Sequence, residues 1–357
     1  MSAPLLFTIT AAAALAVNLV LIPLILIAAH RHHLFDRIDY RKAHTGQIPA
    51  LGGIGIFFSF AAAGIVALLL VRLGPSEITS TWRAGSIAAG VTLMHCTGVV
   101  DDMIDIRAGR KLLLQIGAAL LVVTGGTMIG SLELRELGFS LPLGILAPVL
   151  TVLWIVAISN AMNLIDGIDG FAGGVALFAA LALGVIALAR GDIFTATVAG
   201  ALTGAVAGFL VFNIPPARIF MGDGGSLFLG FSLAVLSILG NGSGVPILVP
   251  LILLSVPILD TLTAILRRLR HRRPIHAPDA NHFHHRLVRI AGSGRRALLA
   301  AYALNTVTAA GAISYSLIGG GAGLVVLLIA AAVVLSVFFA VFRLRPAVYE
   351  DHAPRQM

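Results

Sequence analysis

The sequence predicts an all-α integral membrane protein, and three observations carry that reading. Apolar residues fill 58% of the 357 positions and charged residues only 11%, with a mean hydropathy of +1.00, a balance foreign to soluble domains. The apolar residues gather into runs of about 20, the length that crosses a hydrocarbon core ~30 Å thick. Basic residues are divided unevenly between alternate connections, as a polytopic chain requires.

In order, the runs cover residues 5 to 29, 50 to 71, 84 to 100, 112 to 130, 141 to 158, 171 to 189, 193 to 212, 225 to 240, 245 to 266, 297 to 316 and 321 to 342. That makes eleven predicted transmembrane helices in one polytopic domain over 1–357. The first run has no basic residue before it and no small-x-small cleavage pattern, so it reads as a retained helix. Pro23 and Pro257 are tolerated inside spans and are assigned no role. Gly200, Gly204 and Gly208 form a small-residue stripe suited to helix packing. Cys96 is the single cysteine, which excludes an intramolecular disulfide and any cysteine metal site.

A formal charge of +8 would suggest nucleic acid for a soluble chain. Topology explains it better. Twenty of the 24 Lys and Arg residues fall in the odd-numbered connections and the tail, leaving only Arg72, Arg83, Arg135 and Arg190 on the other side. The rule that basic loops stay inside therefore makes those connections and the carboxyl terminus cytoplasmic and the amino terminus external. No nucleic-acid partner is expected. Ten carboxylates outside the tail share the cytoplasmic side: Asp36, Asp39, Asp101, Asp102, Asp105, Asp166, Asp169, Asp223, Asp260 and Asp279. Acids and bases gathered on one face indicate a site at the membrane surface, built from loops of about 30–49, 101–111, 159–170, 213–224 and 267–296.

Within those loops, residues 160 to 170 read Asn-Ala-Met-Asn-Leu-Ile-Asp-Gly-Ile-Asp-Gly directly after an apolar wall. Two carboxylates, two carboxamides and two glycines supply hard oxygen ligands and a pliable backbone, which suits a divalent cation, although a polar turn after a helix reads the same way. Asp101 and Asp102 close the third span and Lys111 opens the fourth. Adjacent carboxylates there need a cation or a basic partner, and a lysine can meet a phosphate as a point charge. Gly222, Gly224 and Gly225 surround Asp223 just before an apolar run, so backbone can approach a ligand at a helix amino end. His282, His284 and His285 stand beside Arg286; without a cysteine or an i, i+4 pair the cluster suits phosphate oxygens better than zinc. Arg267, Arg268, Arg270, Arg272 and Arg273 read as a topogenic, headgroup-facing cluster. His30, His32 and His33 read as interfacial. Residues 40 to 53, with Arg41, Lys42, His44, Gly52 and Gly53, form a basic hinge into the second span.

In this order the motifs resemble the polyprenyl-phosphate N-acetylhexosamine-1-phosphate transferases, over about residues 36 to 290. The likeness rests on Arg41-Lys42-Ala43-His44 with Gly52-Gly53, Asp101-Asp102 with Lys111, Asn160 through Gly170, Phe220-Met221-Gly222-Asp223, and His282-Phe283-His284-His285. It implies transfer of a sugar phosphate, foremost N-acetylglucosamine-1-phosphate, from a UDP-N-acetylhexosamine to undecaprenyl or another polyprenyl phosphate, with release of UMP. That is the initiating step of lipid-linked cell-surface glycan synthesis, and Mg2+ or Mn2+ is the implied cofactor. By the same resemblance Asp223 and Asp102 would hold the metal, while Asp101, Asp102, Lys111 and Asp166 would be the catalytic set. Asn163, Asp169, Phe220, His282, His284, His285, Arg286, Arg41 and His44 would bind substrate. A homodimer is allowed by family analogy. A phosphate monoester is already ionised near neutral pH, so positioning is the main work expected of Asp101. The muramoyl-pentapeptide branch carries three consecutive histidines where this chain has His-Phe-His-His, which favours the N-acetylglucosamine branch. An ion-coupled secondary transporter is the alternative from another class. The one-sided acids and the absence of a detectable repeat weigh against it.

Overall fold

A computed structural model describes residues 1–35, 48–72, 81–134, 136, 138–239, 247–272 and 282–344. Arg41 and His44, expected at the substrate site, lie outside the described residues.

Each of the eleven apolar runs carries a helix among the described residues. Nine of those helices are long and apolar enough to cross a membrane: α1 (Ala3–Arg31), α2 (Gly52–Arg72), α3 (Thr81–Ile104), α5 (Ala147–Ile165), α6 (Phe171–Ala189), α7 (Ile193–Asn213), α8 (Gly222–Leu239), α12 (Gly294–Ile318) and α13 (Gly320–Arg343). The other two runs differ. α4 (Ala108–Thr124) has only 17 residues, and the run 245 to 266 is broken at Leu254 into α9 (Leu248–Leu253) and α10 (Ser255–Arg270). Pro257 accounts for the position of the break. It occupies the first turn of α10, where its missing N–H is not needed, and its ring would collide with the carbonyl of Leu253 in a continuous helix. α11 (Phe283–Ala291) is short and lies outside the apolar runs.

Among the described residues one feature departs from an all-helical chain. β1 (Ser131–Leu134) and β2 (Phe139–Pro142) form an antiparallel hairpin in the register Ser131↔Pro142 to Leu134↔Phe139. Ser-Leu-Glu-Leu and Phe-Ser-Leu-Pro alternate polar and apolar residues with the strand period of two, and Gly138 turns between them at φ +60°. Runs this short leave no trace in a search for 20-residue spans.

α8 is the innermost helix: 89% of its apolar window is buried, against 17% for α1. It packs between α3 and α5. Inside a bilayer the lipid is as apolar as the protein interior, so close packing has to hold helices together. The stripe on α7 does this. A methyl group at Gly204 would overlap the carbonyl of Ala11, and one at Gly200 would lie 2.6 Å from the carbonyl of Phe7. Only glycine lets α1 and α7 approach this closely. Polar bonds pin the same contact, with Asn18 Nδ2 donating to the Ala205 carbonyl at 2.5 Å and Thr10 to that of Thr197 at 3.2 Å. Between α6 and α7 the turn closes with Gly191 at φ +71°, and Asp192 caps α7 by accepting the Thr195 amide at 3.0 Å.

Candidate active site

Five helix ends meet at one end of the bundle. The starts of α2 and α8 are joined by short strand-like bonds: Gly52 N–H donates to Phe220 O at 2.9 Å, Gly53 N–H to Met221 O at 2.8 Å and Phe220 N–H to Pro49 O at 2.9 Å. The approach is so close that a methyl on Gly53 would overlap the backbone of Gly225. α3 leans on the same place, since a methyl on Gly98 would overlap the carbonyl of Asp223. Phe220 thus contributes its backbone to the frame, with its ring half-buried.

At this junction Lys111, from the start of α4, is held between two carboxylates. Its Nζ lies 2.6 Å from Asp101 Oδ2 and 2.5 Å from Asp223 Oδ2. The other oxygen of Asp101 accepts the Ile106 amide at 2.7 Å, which fixes the turn that brings α4 back beside α3. Asp223 Oδ1 accepts Asn163 Nδ2, from the end of α5, at 2.8 Å. Asn163 Nδ2 also reaches the Ser226 hydroxyl at 2.9 Å. Asp223 keeps 33% of its side chain exposed, against 9% for Asp101 and 16% for Lys111. Of the two acids on Lys111, Asp223 is therefore the more open to a ligand.

Asp102 does something different. Its two oxygens accept the backbone amides of Asp223 at 2.8 Å and Gly224 at 2.9 Å. These are among the amides that a helix start leaves without intrahelical partners, and a carboxylate there also meets the positive end of the helix dipole. Expected among the metal ligands, Asp102 is engaged in capping α8 and so in aiming Asp223. His95 braces the next residue, with Nδ1 donating to the Gly224 carbonyl at 2.9 Å while its ring stacks on Phe57 at 4.2 Å.

The turn after α5 is anchored as much as it is exposed. Asp166 is its C-cap residue and is half-buried. Asp169 Oδ2 accepts the Ala217 amide at 3.0 Å, and the Gly170 amide donates to Asn213 Oδ1 at 2.8 Å. Asp169, expected at the substrate, ties this turn to the 213–220 loop. Asn160 is not an open oxygen ligand either: it pairs with Gln115 of α4 through two amide bonds of 2.8 and 3.2 Å.

The histidine motif seats the start of α11 against the same turn. His284 is 2% exposed, and a methyl on Gly167 would overlap its Nε2. Neither ring nitrogen of His284 has a hydrogen-bond partner among the described residues. Burial, reinforced by His285 and His282, pushes its pKa well below the usual histidine value and keeps the ring neutral. As it stands, His284 is a packing residue rather than the phosphate donor expected of it. His285 is half-buried. Phe283 stacks on Phe338 of α13 at 4.1 Å.

Arg286 is likewise turned from its expected place beside phosphate. Its guanidinium donates to the carbonyls of Val341 at 3.1 Å and of Phe342 and Leu344 at 3.2 Å, and it covers the Phe342 ring. The last carbonyls of α13 lack intrahelical donors, and the planar guanidinium supplies several at once.

Among the described residues no three His, Cys, Asp or Glu side chains converge into a closed metal cage. The acids nevertheless fit a hard divalent cation of the kind held by one or two carboxylates and completed by substrate phosphates. Two carboxylates, Asp101 and Asp223, face one ammonium, and Asp223 is the more open of the pair.

Sequence reasoning missed Gln115, Ser226, His95, Asn213 and the role of Asp260. Gln115 and Asp260 had a visible signal, being polar residues within apolar runs.

Residues 84–241 match the family described as glycosyl transferase family 4. The chain is 37% identical over 298 residues to the "Probable undecaprenyl-phosphate N-acetylglucosaminyl 1-phosphate transferase" of Bacillus subtilis, covering 83% of this chain and 81% of that one. It is 35% identical over 306 residues to the "Decaprenyl-phosphate N-acetylglucosaminephosphotransferase" of Mycolicibacterium smegmatis, covering 77% and 73%. A "Phospho-N-acetylmuramoyl-pentapeptide-transferase" of Desulforudis audaxviator is 32% identical over 307 residues, covering 75% and 88%. Together with the acid and lysine cluster at the helix ends, these matches place the chain in glycosyl transferase family 4.

Proposed function

We propose that the protein transfers N-acetylglucosamine-1-phosphate from UDP-N-acetylglucosamine to a polyprenyl phosphate, releasing UMP and initiating a lipid-linked glycan. The observation that carries this reading is Lys111, held by Asp101 and Asp223 at the amino end of α8. A cation fixed between acids at a membrane surface suits a diphosphate meeting a lipid phosphate. We place this end of the bundle at the cytoplasmic face of the inner membrane, with α4 and the α9–α10 pair completing eleven crossings and the amino terminus outside.

In the reaction an oxygen of the acceptor phosphate bonds to the phosphorus that carries the sugar. The bond from that phosphorus to the bridging oxygen breaks, and UMP leaves with the electron pair on that oxygen. The acceptor is already ionised, so no base is required, and Asp101 works by holding Lys111. Lys111 turns to the phosphates and stabilises charge that grows in the transition state. Asp223, aimed by Asp102 and Asn163, would hold Mg2+ or Mn2+. When bound, the ion neutralises the diphosphate as a Lewis acid.

The muramoyl-pentapeptide alternative is weaker because the motif reads His282-Phe283-His284-His285 where that branch carries three consecutive histidines. The test uses purified protein, a polyprenyl phosphate and a panel of UDP-sugars, following UMP with magnesium and with excess chelator. Metal-dependent UMP release from UDP-N-acetylglucosamine is expected. Folded protein that releases no UMP from any UDP-N-acetylhexosamine would overturn the reading.

A further inference from the structure

Asp260 lies in α10 with no exposed surface. A carboxylate so placed needs a donor on each oxygen. It has both, and both come from the start of α11: Oδ1 accepts the Phe283 amide at 2.7 Å, and Oδ2 accepts Nδ1 of His282 at 3.0 Å. His282 stands at the N-cap position of α11 without a side-chain cap bond of its own, so Asp260 supplies that cap from another helix. His284 Nδ1 is 3.9 Å from the same oxygen, too far for a hydrogen bond. It stacks parallel to His282 with ring centroids 5.6 Å apart. His282 Nε2 forms no bond among the described residues, and 8% of the side chain stays exposed. One ring nitrogen is thus fixed and the other is left for a ligand.

We infer that Asp260 is a positioning residue that acts through His282, holding the proton on Nδ1 and aiming Nε2 at the diphosphate of the donor. With the carboxylate on one side and phosphate on the other, the ring binds as the imidazolium, donating Nδ1–H to Asp260 and Nε2–H to a phosphate oxygen. This part rests on the proposed transfer reaction. The tautomer does not.

Asp260→Asn is the discriminating variant because it keeps one acceptor. The amide oxygen stays on the Phe283 amide, the shorter bond, and its NH2 then faces His282 Nδ1, which must become an acceptor. In protein labelled with 15N-histidine and held in liposomes, His282→Gln assigns the resonance. Wild type is expected to show a protonated Nδ1, and Asp260→Asn a proton moved to Nε2. An unprotonated Nδ1 in wild type overturns the inference even if Asp260→Asn fails to fold, and so does an unchanged tautomer in the variant. In the UMP assay, Asp260→Asn should lose about ten- to hundredfold in kcat/KM, the usual cost of removing such a partner. His282→Gln should lose at least as much, and the double variant no more than His282→Gln alone. Losses that multiply would mean that Asp260 acts on structure independently of His282. Wild type that releases no UMP would defeat the transfer reading while leaving the tautomer result standing.

Discussion

Asp102 and Asp260 both receive the free amides of a neighbouring helix start, Asp102 from an exposed position and Asp260 from a fully buried one. Asp102 spends both oxygens on α8, whereas Asp260 spends one on α11 and the other on a histidine ring. In each case the group suited to chemistry, Asp223 or His282, stands at the capped end. The difference lies in what surrounds them. Asp223 shares a lysine with Asp101 and is a third exposed, so the first centre is charged and open. The second is sealed by Phe283, His284 and Phe338. The open centre is built to change partners when substrate arrives, and the closed one to keep a ring still.

The largest effect should come from the open centre. Asp223→Asn is expected to leave a folded protein with no measurable UMP release, and near-normal turnover would remove Asp223 from the metal site. Lys111→Met should lower kcat by about 10²- to 10³-fold, the cost of losing one charge-stabilising donor; Lys111→Arg should restore little, because a planar fork does not replace a point charge.

Asp102 sharpens the comparison further. Asp102→Asn keeps one acceptor for the α8 amides and Asp102→Ala keeps none, so the asparagine should retain more activity and melt higher, by roughly the 0.5–2 kcal/mol of a helix cap. Equal losses in the two variants would show that charge, not capping, is what Asp102 supplies.

Smaller effects belong to the closed centre. His284 is held neutral when folded, with its pKa below the ordinary 6.5. Protons therefore bind the unfolded chain first as pH falls, and stability declines below about pH 6.5. His284→Phe should flatten that decline in detergent melts, and an unchanged slope would assign it to other groups. Arg286→Ala should lower the melting temperature through the end of α13 yet leave kcat/KM close to wild type. A large rise in the KM of the donor would return Arg286 to the substrate site.

How much of this was visible in the sequence follows from distance along the chain. Asp101, Asp102, Lys111, Asn163 and Asp223 stood out because polar residues beside apolar spans need partners, and the structure brings all five together. The stripe on α7 was legible from its spacing alone. What stayed hidden depended on partners that no local pattern names. Arg286 finds its carbonyls 55 to 58 residues later, and Asp260 meets His282 across 22 residues. The hairpin and the break at Leu254 were lost for another reason: a 20-residue hydropathy window averages over both.

The bond between α10 and α11 also bears on how the chain is made. Asp260 is synthesised before His282 and Phe283, so α10 leaves the ribosome ahead of both of its donors. A buried carboxylate without donors is costly, so α10 takes its final place only once the start of α11 has followed it and folded back onto it.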